Sequence, residues 1–186
     1  MSDEQAFEAL RRRSCPPLGE ALFAVTATWR PVSWPELDAK LDALAVPLFG
    51  VEPSGRERAG ALAELLLATF HEEPRAAEGL WLDEVLTGYG GHAVVIASVA
   101  AELGRRAGWQ ITVCSSPTAW FAGLVHDGLL WLVDPTGEAT GSAAPKTVRR
   151  HCAHEIAFVV LTGLAERFAR SDDQAQARNL RERLAF

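Results

Sequence analysis

A glycine-rich turn followed by a long apolar segment places His92 at the predicted start of a helix. The segment is LTGYGGHAVVIASVAAELGRRAGW, from Leu86 to Trp109. Backbone N–H groups at a helix N-terminus favour anions and thiolates, and they lower the proton affinity of a histidine placed there. His92 is therefore a candidate base or ligand-binding group, and the alternative is a histidine that caps the helix or lies exposed in a loop.

Asp134 ends a second apolar segment, LLWLVDPT, which is predicted to be a strand. A carboxylate in this position can orient an imidazole on a neighbouring strand, as the third member of a nucleophile–base–acid set. The alternative is a turn aspartate before proline. The hydroxyl groups that could serve as the nucleophile of such a set are those of Ser98, Ser115, Ser116 and Thr118. Ser98 is expected to be buried in the helix.

His151, Cys152 and His154 are the candidate metal ligands. On a helix the two histidines would share a face. A zinc site needs three or four ligands, and HCAHE is not the HExxH order. We therefore predict no metal site and no cofactor, with metal binding by these three residues as the alternative.

The composition is typical of a single globular domain. The chain has 186 residues, of which 48% are hydrophobic and 23% charged. A net charge of −6 argues against a nucleic-acid surface. No secretory signal pattern is present at the N-terminus, and no apolar run reaches the ~18 residues of a membrane helix. Three widely spaced cysteines do not suggest a disulfide framework, so a cytoplasmic location is predicted.

Helix and strand patterns divide the chain. In the first half, Phe7 and Leu10 have weak helical spacing, and the serines of Ser33–Glu36 and Ser54–Glu57 have the capping-box spacing that precedes a helix. A central helix is predicted from about His92 to Ala107. Beyond it, WQITVCS and two strands around His126-Asp127-Gly128 predict a small sheet, because Asp-Gly favours a hairpin turn.

The C-terminal part returns to helical patterns. EATGSAAPK is loop-like, helices are predicted from about Thr147, and a last helix is predicted from Ser171 to about Phe186. The fold class is therefore α+β: a helical N-terminal half, a central helix packed on a small antiparallel sheet, and a C-terminal helical hairpin. The predicted parts are N-terminal helices in residues 1–30, a core in 31–140 and the hairpin, packed on that core, in 147–186.

The order of these elements resembles the transglutaminase-like superfamily, which has the fold of papain-type thiol enzymes. Within it, the chain is most similar to the SirB-type branch, whose members have a tetratricopeptide-like tail. The resemblance covers about residues 20–186 and rests on the ordered segments ELDAKLDAL, RERAGALAELLLATF, WLDEVLTGYGGHAVVIASVAAELGRRAGW, SSPTAWFAGLVHDGLLWLVDPTG and EIAFVVLTGLAERFARSDDQAQARNLRERLAF.

The family's catalytic positions are only partly retained in this sequence. Active members have Gly-x-Cys-x-x-x-Ala at the start of the central helix, and the cysteine position here is Ala93. The family's histidine begins a His-Ala-Trp segment, which matches Thr118, whereas the SirB-type Pro-Gly-His pattern matches Ala119 instead. The family's aspartate is matched by Asp134. The resemblance thus implies that the orienting acid is present while the nucleophile and the base are absent.

These matches predict a catalytically inactive transglutaminase-like protein that acts as a protein-binding, scaffold or regulatory module. We expect no catalytic residue, and the candidate binding residues are His92, Trp120 and Asp134. The expected partner is another protein. Neither nucleic acid nor membrane is expected as a partner. The alternative function is an amide or ester hydrolase with a rebuilt, non-cysteine site around His92 and Asp134.

Overall fold

A computed structural model of the chain describes residues 12, 14, 16–51, 53–70, 79–88, 90–135, 139–142, 148–170 and 178. In the described part, helices precede a sheet, and a long helix follows it. The helices are α1 (Leu18–Ala27), α2 (Trp34–Ala45, continued by a 3-10 turn at Val46–Leu48), α3 (Gly55–Thr69), α4 (Leu82–Val85), α5 (Ala93–Arg106) and α6 (Ala153–Arg170). The strands are β1 (Ile111–Ser115), β2 (Trp120–His126), β3 (Leu129–Val133), β4 (Ala139–Ser142) and β5 (Arg149–His151). The predicted α+β class is confirmed.

The two predicted capping boxes differ in the structure. Ser33 and Ser54 are both N-cap residues with extended backbone. The hydroxyl of Ser54 accepts a hydrogen bond from the Glu57 backbone N–H at 3.1 Å and donates one to the Glu57 carboxylate. Ser33 makes no side-chain cap hydrogen bond to α2, which instead has Pro35 in its first turn, where the missing N–H does no harm. Only the Ser54 cap is therefore expected to contribute to stability.

We predict that Ser54→Ala lowers the free energy of unfolding by about 1 kcal/mol, since it leaves a first-turn N–H of α3 without its side-chain acceptor. Ser33→Ala is the matched control and should change stability by less than about half of that value. Urea denaturation of the two variants and the wild type measures the difference. Equal losses in both variants would show that the capping hydrogen bond contributes nothing.

Helix α5 is the buried centre of the fold. All its residues from Val94 to Gly104 are buried. The helix has few polar side chains, which fits a helix that contacts neighbours on every side. Gly108 follows it with a φ of +80°, a left-handed conformation that glycine adopts without strain. The predicted central helix is confirmed, with His92 as its N-cap and Ala107 as its C-cap.

The sheet is antiparallel and has the strand order β4-β3-β2-β1-β5. Asp127 and Gly128 connect β2 to β3, and both have positive φ, as a two-residue type I′ turn requires. The predicted hairpin is therefore correct. On the helix side of the sheet, Val113, Ala122 and Leu124 belong to the main core with α5. The opposite face has a small separate cluster of Cys114, Leu130 and Leu132.

Two sequence predictions need correction in the C-terminal part. The loop-like segment EATGSAAPK contains strand β4, which pairs with β3 through the backbone. Residues after Thr147 first form strand β5, and the helix begins only at Ala153. His151 is therefore a strand residue, so His151 and His154 do not share the face of one helix. Both strands are short and pair at the edges of the sheet, where tertiary contacts decide what the local pattern does not.

Helix α6 is the first arm of the predicted C-terminal hairpin, and it packs against α1 and α5. The second arm, predicted from Ser171, lies outside the described residues, as do the Phe7–Leu10 segment and Cys15. Among the helices that the structure describes, none has the length and apolar character needed to span a membrane.

Candidate functional site

The chain direction brings the start of α5 towards one end of the sheet. The chain reverses at residues 107–110, so α5 and β1 run antiparallel. A Cβ on Gly104, near the end of α5, would lie 3.0 Å from the Ile111 side chain at the start of β1. Because α5 is 14 residues long and β1 five, the N-terminus of α5 is directed towards the Ser115 end of β1. The start of β2 and the end of β3 lie at this same end of the sheet.

Side chains alternate between the two faces along each strand, and this alternation identifies those that face α5 at the Ser115 end of the sheet. Ser115 is two residues after buried Val113 on β1, so their side chains project from the same face, and Trp120 pairs with Ser115. His151 pairs with Val113 across β5. Side chains of paired residues project from the same face of a sheet, so Ser115, Trp120 and His151 share the face on which α5 packs. We call these three residues the sheet-end site.

His92 acts as the side-chain cap of α5. Its Nδ1 accepts a hydrogen bond from the Val94 backbone N–H at 3.3 Å, and the His92 backbone N–H donates to the Gly79 carbonyl at 3.0 Å. Burial lowers the pKa of His92 below its usual value, so the imidazole is neutral at pH 7 and can accept this bond. The geometry corresponds to the capping interpretation, and the site predicted around His92 and Asp134 stays a prediction.

Ala93, which the resemblance matches to the family's cysteine, is the first residue of α5 and is half-buried. Its methyl group has no nucleophilic atom. Asp134 follows β3 at the same end of the sheet and is also half-buried. Ala93 thus begins the central helix and Asp134 follows a strand of the sheet, and the match of these two residues to the family's cysteine and aspartate stays a prediction.

The β1–β2 connection contains both candidate positions for the family's histidine, Thr118 and Ala119. Thr118 is exposed. The Ser116 hydroxyl accepts hydrogen bonds from the backbone N–H groups of Thr118 and Ala119, at 3.3 and 3.1 Å. Ser116 therefore stabilises the turn, and neither residue at the histidine position can take up a proton as an imidazole does. Ser98, the candidate within α5, is fully buried and donates to the Val94 carbonyl at 2.6 Å.

The structure brings together two candidate residues, Ser115 and His151, that are distant in the sequence. The Ser115 hydroxyl and His151 Nε2 are 2.7 Å apart, although the residues are 36 positions apart in the chain. The His151 ring lies 4.8 Å from the Trp120 ring, centroid to centroid. Ser115 had been a candidate nucleophile and His151 a candidate metal ligand. Only the β1–β5 pairing, which no sequence pattern indicated, makes them neighbours.

A metal site is not formed by the residues described. Among them, no group of three or more His, Cys, Asp and Glu side chains is arranged to hold an ion. Cys152 is exposed, and Cys114 is buried on the far face of the sheet, where burial raises the pKa of its thiol. That thiol is protonated at pH 7 and is a poor nucleophile.

An open cavity of about 400 Å³ lies at the opposite end of the sheet. It is bordered by the start of α3 and the β2–β3 turn, with Ser54, His126 and Trp131 in its wall. Trp131 pairs with Leu124, so it lies on the same face as Trp120 but further from the N-terminus of α5. This location separates the cavity from the sheet-end site.

Comparison with known proteins identifies the class to which this fold belongs. The model of the transglutaminase-like superfamily matches residues 36–180, and the chain therefore belongs to that superfamily. A search of curated proteins finds no match. A solved structure of menin, described as revealing the binding site for the Mixed Lineage Leukemia (MLL) protein, is similar in fold, with a TM-score of 0.60 at 14% identity. The similarity covers 87% of this chain and 46% of the menin chain, so this chain spans less than half of that length.

Proposed function

We propose that this transglutaminase-like domain is inactive in the family's cysteine-based chemistry and acts by binding another protein. The observation that carries this proposal is Ala93 at the start of α5, in the position of the family's cysteine. Without a thiol, and with Thr118 or Ala119 in place of the histidine, no covalent acyl–thiol intermediate can form there. What remains is the fold and a half-buried surface at the end of the sheet.

The proposal includes the branch and the compartment. The order of α5, the β2–β3 hairpin, Asp134-Pro135 and α6 supports the SirB-type branch, with α6 as the first helix of the tetratricopeptide-like tail. A cytoplasmic location is supported by Cys114 and Cys152, which are both free thiols.

Binding at the sheet-end site is supported by its side chains. Trp120 is half-buried, and tryptophan is enriched among the residues that dominate protein interfaces. Ala93, the first residue of α5, is small and half-buried. Menin, whose description names a binding site for another protein, is an example of a protein binder with a similar fold.

We predict that Trp120→Ala removes a specific partner from the material captured by the tagged protein in extracts of its native host. Truncation of a tryptophan at the centre of an interface typically costs 2 kcal/mol or more, a loss of about thirtyfold in affinity. Trp131→Ala is the matched control, because Trp131 is also half-buried on the same face but lines the cavity at the opposite end of the sheet. Quantitative mass spectrometry compares the captured proteins.

Thermal melting of both tryptophan variants checks that each is folded at the temperature of capture. A partner lost only with Trp120→Ala supports binding at the sheet-end site. A partner lost only with Trp131→Ala would move the interface to the cavity beside α3. If neither variant nor the wild type captures any partner reproducibly, the binding function is wrong.

A further inference from the structure

A glutamate, Glu155, lies close to the serine–histidine pair of the sheet-end site, and these three residues differ from the positions matched to the family's catalytic ones. We propose that Ser115 is a nucleophile that takes acyl groups from carboxylic esters, with His151 as its base and Glu155 as the residue that positions His151. This inference goes beyond the proposed protein binding. It is compatible with Ala93 and Thr118, because it requires neither the family's cysteine nor its histidine.

The Ser115–His151 contact has the geometry of an activated nucleophile. Ser115 Oγ and His151 Nε2 are 2.7 Å apart, within the range of a short hydroxyl–imidazole hydrogen bond. The His151 side chain is only 7% exposed, and it lies against the Trp120 ring, which limits its movement. Ser115 itself is half-buried, so part of the residue is open to solvent.

Glu155 is placed to select the tautomer of His151. His151 Nδ1 is buried and has no hydrogen-bond partner within the residues that the structure describes. Glu155 Oε2 lies 3.7 Å from this nitrogen. This separation exceeds a hydrogen bond, but catalytic contacts in unliganded enzymes are often long and shorten when substrate binds. A proton on Nδ1, directed at the carboxylate, leaves Nε2 as the acceptor for the Ser115 hydroxyl.

The Glu155 carboxylate is itself fixed in place. Its Oε2 accepts a hydrogen bond from the Cys152 backbone N–H at 2.9 Å, and its Oε1 pairs with Arg149. These contacts, led by the Cys152 N–H, lower the pKa of Glu155, so it is ionised at neutral pH. A fixed negative charge beside Nδ1 stabilises the imidazolium that forms when His151 takes up a proton.

The chemistry divides into two balanced steps. Ser115 Oγ attacks the ester carbonyl carbon while its proton passes to His151 Nε2, and the resulting tetrahedral intermediate loses the alcohol, which takes that proton as it leaves. Water then attacks the acyl–serine ester, giving its proton to Nε2. The C–O bond to Ser115 breaks, the acid is released and the proton returns to Oγ.

Labelling with a fluorophosphonate tests the nucleophile directly, because Ser115 Oγ displaces fluoride at phosphorus without needing a protein partner. We predict one label on Ser115 of the folded wild-type chain, located by peptide mass spectrometry. Labelling should be lost in Ser115→Ala and fall about a hundredfold in His151→Gln, in line with the usual contribution of a general base. Ser33→Ala, which removes a half-buried hydroxyl at the start of α2 that makes no cap hydrogen bond, should be labelled at the wild-type rate.

The rate of p-nitrophenyl butyrate hydrolysis should decrease in the same variants in which the labelling rate decreases. Absence of a label on Ser115 in wild-type protein of native melting temperature overturns the proposal, as does equal ester hydrolysis by wild type and Ser115→Ala. Because the label is located in the wild type, the result stands even if a variant fails to fold. Loss of labelling with retention of a captured partner would reject this proposal alone and leave protein binding intact.

The pH dependence of labelling tests the positioning role of Glu155. Burial lowers the pKa of His151, and Arg149 lowers it further, while Glu155 acts to raise it. Since the neutral imidazole is the base, the labelling rate should rise with pH through a midpoint below the usual 6.5. In Glu155→Gln the midpoint should move to lower pH and the plateau should fall about tenfold. A lower plateau with an unchanged midpoint would show that Glu155 has only a structural role.

Discussion

Replacing Glu102 with alanine is expected to lower the free energy of unfolding by about 3 kcal/mol. Glu102 lies on α5 with only 2% of its surface exposed. Its carboxylate accepts hydrogen bonds from Arg105 at 2.6 and 3.0 Å and from Arg106 at 3.1 Å. Removing one partner of a buried charge pair is costly because the other partner is left without its counter-charge.

The loss in the free energy of unfolding should remain near the lower end of the range of about 3–5 kcal/mol that is typical when one partner of a buried ion pair is removed. Arg106, whose side chain is 13% exposed, keeps its contacts with Asp38 and Asp42, and Arg105 is half exposed and can be hydrated. Asp42→Ala is the control from the same cluster. Its side chain is 68% exposed, so the expected loss is below about 1 kcal/mol. Urea denaturation measures both, and losses of equal size would mean that burial of Glu102 does not determine its contribution.

Gly79→Ala is expected to destabilise the protein by about 3–4 kcal/mol and to disturb the start of α5. Gly79 has a φ of +97°, which a residue with a side chain adopts only with strain. A Cβ at this position would lie 2.4 Å from Gly91 Cα and 3.0 Å from the Gly90 carbonyl oxygen. Both are backbone atoms, so the clash cannot be relieved by a change of rotamer.

The control for this prediction is Gly108→Ala. Gly108 has a φ of +80°, but no atom lies within 4 Å of the added Cβ. It therefore carries only the conformational penalty of about 1 kcal/mol. Thermal and urea denaturation compare the two variants. If Gly79→Ala is no more destabilising than Gly108→Ala, the close crossing of residues 79 and 91 does not restrict the fold.

The Gly79 crossing also bears on the sheet-end site. The Gly79 carbonyl accepts a hydrogen bond from the His92 backbone N–H, so this contact holds the residue that caps α5. Ala93 follows directly. A displacement of the crossing would therefore alter the surface at the N-terminus of α5, and a folded Gly79→Ala protein should bind the proposed partner more weakly than Gly108→Ala.

Local patterns in the sequence determined the helices and the central hairpin. The apolar run after His92 requires a buried helix, and Gly108 is where the chain can turn out of it. Asp127-Gly128 favours a type I′ turn through its own backbone preferences. The order of these elements was sufficient to indicate the superfamily, because motif matching needs only the order and spacing of residues. The same matching predicts that Ala93 stands in the cysteine position.

Tertiary structure decided the edges of the sheet and the contacts of the sheet-end site. Strands β4 and β5 have no apolar alternation long enough to predict them. Each is stabilised by backbone hydrogen bonds to another strand, β4 to β3 and β5 to β1, and these bonds form only within the sheet. The register that pairs Val113 with His151 places a histidine beside Ser115 across 36 residues. No local preference specifies such a contact, because it exists only when two strands have paired.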